Sequence, residues 1–93
     1  MAKLTNKVAM ITGAGGGIGR ASALKMAEAG ASVMCADIDR QAAEGTVSLI
    51  TEGGGIADSM GLDVSDSNQV QQAIKQTADK LGPLNILFNN AGV

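Results

Sequence analysis

The sequence lacks several residue types that enzymes commonly use. Its 93 residues include no tyrosine, tryptophan or histidine, and only one cysteine, one proline and one phenylalanine. A mechanism that needs tyrosine or imidazole as an acid or base therefore cannot be completed within these residues. The single cysteine, Cys35, excludes an internal disulfide, and the lack of histidine excludes a cysteine–histidine metal cluster. This cysteine usage fits a reducing compartment, so we expect a cytoplasmic protein.

Long apolar runs and an excess of basic residues are also missing. The first residues, MAKLTNK, lack the apolar segment of a signal peptide, and no apolar run is long enough to cross a bilayer. The formal net charge of −2 argues against a nucleic-acid-binding surface. We therefore expect neither a membrane nor a nucleic acid as a partner. The length is sufficient for one small domain.

The most informative stretch joins a strand, a glycine-rich turn and a helix. Residues Val8–Ile11 form a continuous apolar run, as expected for a parallel strand that is covered on both faces. Thr12 ends the run, five glycines fall within the next seven residues, and apolar side chains then recur at helical spacing. The pattern predicts a buried strand, a tight turn and a helix over residues 17–29.

A turn of this kind is suited to binding an anion. The first backbone N–H groups of a helix have no partners within the helix, and with the positive end of the helix dipole they attract negative charge. Glycines allow the backbone to reverse tightly and a phosphate to approach without meeting a β-carbon. A pyrophosphate is the natural ligand, and the alternative is a flexible loop that only joins two elements.

The spacing of the glycines separates this turn from two common motifs. The strict Gly-x-Gly-x-x-Gly motif is absent, because the sixth residue is isoleucine when counted from Gly13 and arginine when counted from Gly15. A P-loop is also absent, because no pair of glycines at the required spacing is followed by lysine and serine or threonine. The pattern present is Thr-Gly-x-x-x-Gly-Ile-Gly, from Thr12 to Gly19.

An acidic residue follows the second predicted strand. Asp37 lies 18 residues beyond Gly19, close to the roughly 20 residues expected for a carboxylate that binds the adenosine ribose. Its charge would repel a 2′-phosphate, and no basic residue occupies positions 14–19 or Ile38 to bind that phosphate. We therefore predict a preference for NAD over NADP. The alternatives for Asp37 are a solvated loop acid or a helix cap, although Asp39 is the better cap because it directly precedes the next helix.

The remaining segments continue the alternation of strands and helices. The later predicted strands span residues 31–36, 56–62 and 84–88, and the later predicted helices span residues 40–52 and 66–81. Ser65 is the expected N-cap of the last helix, and Cys35 is expected to be a core residue rather than a reactive thiol. A β-α-β-α-β-α-β order requires a parallel sheet with right-handed crossovers. We predict an α/β fold of the Rossmann type, a partial doubly wound sheet with strand order 3-2-1-4.

Four motifs resemble the short-chain dehydrogenase/reductase family in order and spacing: Thr12–Gly19, Asp37, Asp63-Val64 and Asn89–Gly92. The resemblance implies that Asp63 hydrogen-bonds the adenine amino group and that Val64 packs on the adenine ring. It also implies that Asn89 braces the sheet. The residues implied to line the ribose on the nicotinamide side are Asn90, Ala91 and Gly92. Without the resemblance, the last motif is only a polar turn after a strand.

The resemblance also implies a function. Family members transfer hydride between a nicotinamide and an alcohol or carbonyl, and their Tyr-x-x-x-Lys pair follows the Asn-Asn-Ala-Gly string. Because this pair is absent, residues 1–93 are expected to be the N-terminal part of a single NAD-binding domain, truncated after the fourth strand. The complete enzyme is expected to be a homo-oligomer with a small-molecule substrate. The candidate cofactor-binding residues are Gly13, Gly16, Gly17, Ile18, Gly19, Asp37, Ile38, Asp63, Val64, Asn90, Ala91 and Gly92.

Two other functions remain open from the sequence. One is a stand-alone dinucleotide-binding module without catalysis. The other is an S-adenosylmethionine-dependent methyltransferase, which shares a glycine turn and an acid after the second strand. A methyltransferase usually has an acid just before its glycines, where this chain has Met10, Ile11 and Thr12. The Asn89–Gly92 string also argues against a methyltransferase.

Overall fold

The computed structural model of the chain describes residues 3–90. Strands and helices alternate in the predicted order: β1 (Val8–Thr12), α1 (Gly17–Glu28), β2 (Ser32–Asp37), α2 (Arg40–Glu52), β3 (Ile56–Gly61), α3 (Ser67–Leu81) and β4 (Ile86–Asn89). The strands form a four-stranded parallel sheet in the order β3-β2-β1-β4. The predicted α/β fold and strand order are therefore confirmed.

The sheet is covered on both faces by helices, and β1 is buried along its whole length. One core cluster joins β1 and β2 to α1 and α2, and it uses small side chains such as Ala23 and Ala43, which let the helices lie close to the sheet. The other cluster joins Met10 and Met34 to the side of α3. Cys35 is fully buried in the first cluster, as predicted.

Strand β4 begins two residues later than predicted because the side chain of Asn85 takes part in the pairing. The Val8 N–H donates to Asn85 Oδ1 at 2.8 Å, and the Asn85 N–H donates to the Val8 carbonyl at 2.9 Å. The ordinary ladder starts only with the pair Ala9 and Ile86. Asn85 therefore fixes the register of β4 against β1, because its side chain and its backbone both bond to Val8.

The predicted N-cap of α3 is wrong by one residue. Asp66, not Ser65, is the N-cap, and its Oδ1 accepts hydrogen bonds from the backbone N–H groups of Asn68 and Gln69. Ser65 instead donates its hydroxyl to Asp63 Oδ1 at 2.7 Å. The predicted cap of α2 is present, since the side chain of Asp39 accepts the Ala42 N–H.

Candidate functional site

The glycine turn between β1 and α1 presents open backbone at the start of a helix. Gly17 lies in the left-handed region with φ 53°, and Gly13 does so with φ 65°. Gly16 is the N-cap of α1, and no side chain within residues 3–90 caps it. A β-carbon built on Gly16 or Gly17 would meet no atom within 4 Å. The first N–H groups of α1 therefore lie beside space that an anion can enter.

The other two glycines of the turn are required by packing inside the chain. A β-carbon on Gly19 would overlap the Gly13 carbonyl and lie 3.0 Å from Asn90 Nδ2. A β-carbon on Gly15 would overlap the Ala42 side chain. The close approach of α1 to the end of β1, and of α2 to the turn, therefore depends on these two positions. Asn90 lies beside Gly19, whereas Ala91 and Gly92 lie outside the described residues.

Asp37 lies at the end of β2, where its carboxylate meets the glycine turn. Its Oδ2 accepts the Gly15 N–H at 2.9 Å, and its Oδ1 accepts the Asp39 N–H at 2.9 Å. A carboxylate has about four acceptor positions, so each oxygen keeps capacity for a further donor. Asp37 is thus neither a free loop acid nor the cap of α2. Ile18 and Ile38 are exposed on the adjoining surface, at 70% and 78%.

Arg20 is the first basic residue after the turn, and its guanidinium group is directed toward α2. Its Nε donates to Thr46 Oγ1 at 2.8 Å, and its Nη2 donates to the Ala42 carbonyl at 3.1 Å. Both residues belong to α2. Thr46 could not be predicted from the sequence, because no local pattern marks a residue 26 positions from Arg20 as its partner.

The end of β3 brings a second acidic residue to the same edge of the sheet. The Leu62 N–H donates to the Asp37 carbonyl at 3.0 Å, which holds the ends of β2 and β3 together. The hydroxyl and the backbone N–H of Ser65 both bond to Asp63 Oδ1, and these bonds, the hydroxyl first, lower the pKa of Asp63. Asp63 therefore remains an ionised acceptor. Val64 is half-buried and packs against the α3 cluster.

The ends of β1 and β4 are joined by a side-chain hydrogen bond. Thr12 Oγ1 donates to Asn89 Oδ1 at 2.9 Å, which matches the bracing role expected of Asn89. Asn90 follows directly and reaches Gly19 of the turn. The glycine turn, Asp37, Asp63 and Asn90 therefore all lie at the carboxyl ends of the strands, which is the edge where open α/β sheets bind ligands.

Residues 3–90 contain no group of three or more histidine, cysteine, aspartate or glutamate side chains that could hold a metal ion. Within the same range, none of the helices has both the length and the apolar character needed to cross a bilayer.

Comparison with known proteins agrees with this arrangement. A family model described as short chain dehydrogenase matches residues 7–93. The chain belongs to the short-chain dehydrogenase family. The resemblance drawn from the four sequence motifs is thereby confirmed, and members of this family bind nicotinamide cofactors, either NAD or NADP.

Relatives within the short-chain dehydrogenase family match nearly the whole chain. It is 50% identical over 93 residues to an uncharacterised oxidoreductase of Bacillus subtilis strain 168, covering 100% of this chain and 34% of that protein. It is 40% identical over 91 residues to the cyclohexanol dehydrogenase of Acinetobacter sp. strain SE19, covering 98% of this chain and 36% of that protein. The chain thus spans about a third of the length of these relatives.

A solved structure of the same family superimposes closely. The crystal structure of a hydroxysteroid dehydrogenase from Escherichia coli matches with a TM-score of 0.94 at 40% sequence identity. The match covers 99% of this chain and 39% of that chain. The fold of the short-chain dehydrogenases therefore extends over the strands and helices described above.

Proposed function

We propose that the chain is the N-terminal, NAD(H)-binding part of an oxidoreductase that transfers hydride between a nicotinamide cofactor and an alcohol or carbonyl substrate. The observation that carries this proposal is the pairing of Asp37 with the glycine turn. The Asp37 carboxylate lies at a strand end and accepts a backbone N–H of the turn, while the other side of the turn is open. A ribose acid and a phosphate cradle are then adjacent, as a dinucleotide requires.

The pyrophosphate would lie against Gly16 and Gly17 at the N-terminus of α1. The space beside both glycines is free, and the first turn of α1 contains no acidic residue to repel an anion. The backbone N–H groups there would donate to the phosphate oxygens. Gly13 and Gly19 would shape the turn, because their mutual contact lets α1 begin next to β1.

The choice of NAD over NADP would rest on the Asp37 carboxylate and on the hydrogen bonds that hold Arg20 against α2. The two carboxylate oxygens would accept from the ribose hydroxyls, with about 1.5–3 kcal/mol for charge-assisted hydrogen bonds. A 2′-phosphate would meet the same negative charge. Arg20 is committed to Thr46 and Ala42 on α2, so it would not offset that repulsion.

The two ends of the cofactor would be held by the remaining candidate residues. On the adenine side, Asp63 would accept from the amino group, with Val64 and the exposed Ile38 in contact with the ring. On the nicotinamide side, Ile18 and Asn90 would flank the ribose. Ala91 and Gly92 are proposed for the same role from the family resemblance.

The bound cofactor would supply the hydride, and this chain's residues would bind and orient it. Residues 1–93 contain no tyrosine or histidine, so the proton that a developing alkoxide needs would come from residues beyond Val93. We place the Tyr-x-x-x-Lys pair of the family there, and we propose that residues 1–93 form the first part of one domain. We also propose that the complete enzyme is a cytoplasmic homo-oligomer and that its substrate is a small molecule.

The test is a set of titrations on the full-length protein that contains this chain. We expect NADH to bind more tightly than NADPH, and S-adenosylmethionine to show no saturable binding. Tighter binding of NADPH would contradict the cofactor choice, and saturable binding of S-adenosylmethionine would contradict the reaction class. The 93-residue chain alone should show no nicotinamide-dependent turnover of any alcohol or ketone. Reproducible NADH oxidation that responds to Asp37→Ala would contradict this.

A stand-alone dinucleotide-binding module is the second candidate function. It would use the same turn and the same Asp37 but would need no proton donor. The relatives are about three times as long as this chain, which favours the enzyme. The coding sequence after Val93 separates the two, because a Tyr-x-x-x-Lys pair supports the enzyme and a stop codon supports the module.

A further inference from the structure

A chain of hydrogen bonds runs from α1 through α2 into the glycine turn. Arg20 Nε donates to Thr46 Oγ1 at 2.8 Å, and Thr46 Oγ1 donates to the Ala14 carbonyl at 2.6 Å. Thr46 and Ala14 are both fully buried. Because this carbonyl belongs to the turn, a side chain on α2 and a side chain on α1 determine how one peptide of the turn is held.

The peptide concerned is the one that also bonds to Asp37. The Ala14 carbonyl and the Gly15 N–H are the two ends of a single planar peptide unit. Its oxygen accepts from Thr46, and its N–H donates to Asp37 Oδ2 at 2.9 Å. Rotation of the peptide plane would break both bonds together. The position of the Asp37 carboxylate is therefore linked to Thr46 through a rigid group.

Arg20 sets the direction in which the Thr46 hydroxyl donates. A guanidinium group has donors and no acceptor, whereas a hydroxyl has one proton to give. Since Thr46 Oγ1 accepts from Arg20, its own proton is directed to the Ala14 carbonyl. The guanidinium is held by its second bond to the Ala42 carbonyl. Gly45 leaves room for it, because a β-carbon there would lie 2.9 Å from Arg20 Nη2.

We propose that Thr46 and Arg20 are positioning residues that act on Asp37 through the Ala14–Gly15 peptide and thereby set the preference for NAD. The inference rests on the proposed function of Asp37 as the ribose acid. Neither side chain contacts the cofactor in this scheme. Loss of the Thr46 hydroxyl leaves a buried carbonyl without its donor and frees the peptide to rotate. The Gly15 N–H then no longer holds Asp37 Oδ2.

The experiment compares three threonine variants of the full-length protein. Thr46→Val keeps the shape of the side chain and removes the hydroxyl, whereas Thr46→Ser keeps the hydroxyl. Thr51→Val is the matched control, because Thr51 lies on the same helix, is exposed, and its hydroxyl donates to the Val47 and Ser48 carbonyls of α2 itself. Dissociation constants for NADH and NADPH are measured for each variant, together with the melting temperature without ligand.

The expected result is a change in the ratio of the two affinities. Thr46→Val should weaken NADH binding by about tenfold, the upper end of what one hydrogen bond contributes, and leave NADPH binding within about twofold. Thr46→Ser should restore the ratio, and Thr51→Val should not alter it. A purely structural role would lower the melting temperature or both affinities without moving the ratio, and that result would overturn the proposal.

A second variant covers the case in which Thr46→Val does not fold. Arg20→Met keeps the aliphatic stem of a half-buried residue and removes the donors that orient Thr46. We expect the affinity for NADH relative to NADPH to fall, as it should in Thr46→Val. An unchanged ratio in folded Arg20→Met would overturn the proposal while leaving the function of Asp37 intact. A wild-type protein that binds neither dinucleotide would instead overturn the proposed function itself.

Discussion

Gly19 lies so close to Gly13 that a β-carbon at position 19 would overlap the Gly13 carbonyl oxygen. The contact joins the first turn of α1 to the residue that follows β1. Gly16 and Gly17, between them, face open space. The turn therefore contains two glycines that packing requires, Gly15 and Gly19, and two that leave room for a ligand, Gly16 and Gly17. Substitutions distinguish the two groups.

The first prediction concerns the stability of three glycine variants. Gly16→Ala should preserve the fold, because its φ of −177° is open to any residue and its surroundings are empty. Gly17→Val should cost roughly 1–2 kcal/mol, because φ is positive there. Gly19→Ala should lower the free energy of unfolding most, because the new β-carbon would force the backbone of Gly13 to move. Thermal unfolding followed by circular dichroism measures all three.

Gly17→Val should also abolish tight NADH binding by the protein that remains folded, because the valine side chain would extend into the space proposed for the pyrophosphate. The titration is carried out well below the melting temperature of the variant. A folded Gly17→Val protein that binds NADH normally would show that the turn is not the phosphate cradle.

The second prediction compares two acidic residues that are two positions apart. Asp37→Ala should weaken NAD binding by about 1.5–3 kcal/mol and narrow its advantage over NADP. Asp39→Ala removes the cap of α2 and should cost about 1 kcal/mol of stability without changing the NAD/NADP ratio. Affinities for both cofactors are measured in the full-length protein. An unchanged ratio in Asp37→Ala would contradict the assignment.

The sequence was sufficient to predict the order of the elements and the location of Asp37. Both follow from local patterns, since apolar periodicity marks each element and the acid directly follows a strand. The cap of α3 was missed because Ser65 and Asp66 are adjacent and both suit an N-cap. Which glycines are required by packing, and which residues Arg20 bonds to, could not be predicted. Both depend on contacts between segments that are distant in sequence, such as Ala14 and Thr46. No spacing rule contains that information.

The third prediction concerns the dependence of stability on pH. Burial raises the pKa of the Cys35 thiol from 9.0 to about 12, against a smaller opposing effect of the Arg20 charge. Between these values the unfolded chain loses the thiol proton while the folded protein keeps it, so the free energy of unfolding should fall as pH rises above about 9. Denaturant unfolding at pH 8 and pH 10 tests this.

Cys35→Ala provides the control for that measurement. Whatever its absolute stability, this variant should lose less stability than wild type between the two pH values. The folded wild-type protein should also resist alkylation by iodoacetamide at pH 8, because the thiol is fully buried and protonated. Rapid alkylation under native conditions, or equal losses in both proteins, would contradict the prediction.

The fourth prediction concerns the isolated 93-residue polypeptide. Strand β4 is one edge of the described sheet, and Leu87 on it is 48% exposed. The opposite edge, β3, includes Asp58, whose carboxylate pairs with Lys80 at 3.5 Å. An apolar edge strand without such a charge favours association. We expect the polypeptide to self-associate through β4 in sedimentation experiments over a range of concentrations.

Two lysine substitutions test where this association occurs. Leu87→Lys places a charge on the strand edge and should reduce association. Leu49→Lys places the same charge on α2, at a leucine that is similarly exposed at 45%, and should have little effect. A monomeric wild-type polypeptide that unfolds cooperatively and binds NAD at micromolar concentration would contradict the prediction.

The placement of β1 between β2 and β4 has a consequence for folding during synthesis. β1 leaves the ribosome first, yet the hydrogen bond from Thr12 to Asn89 joins residues 77 positions apart. Pairing with β2, and with it the bond between Gly15 and Asp37, becomes possible much earlier than pairing with β4. β1 and β2 can therefore pair while the side of β1 that later contacts β4 is still unpaired. Until Asn89 leaves the ribosome, the growing polypeptide exposes this unpaired, apolar edge of β1. An edge of this kind is prone to aggregation and is the kind of surface that chaperones bind.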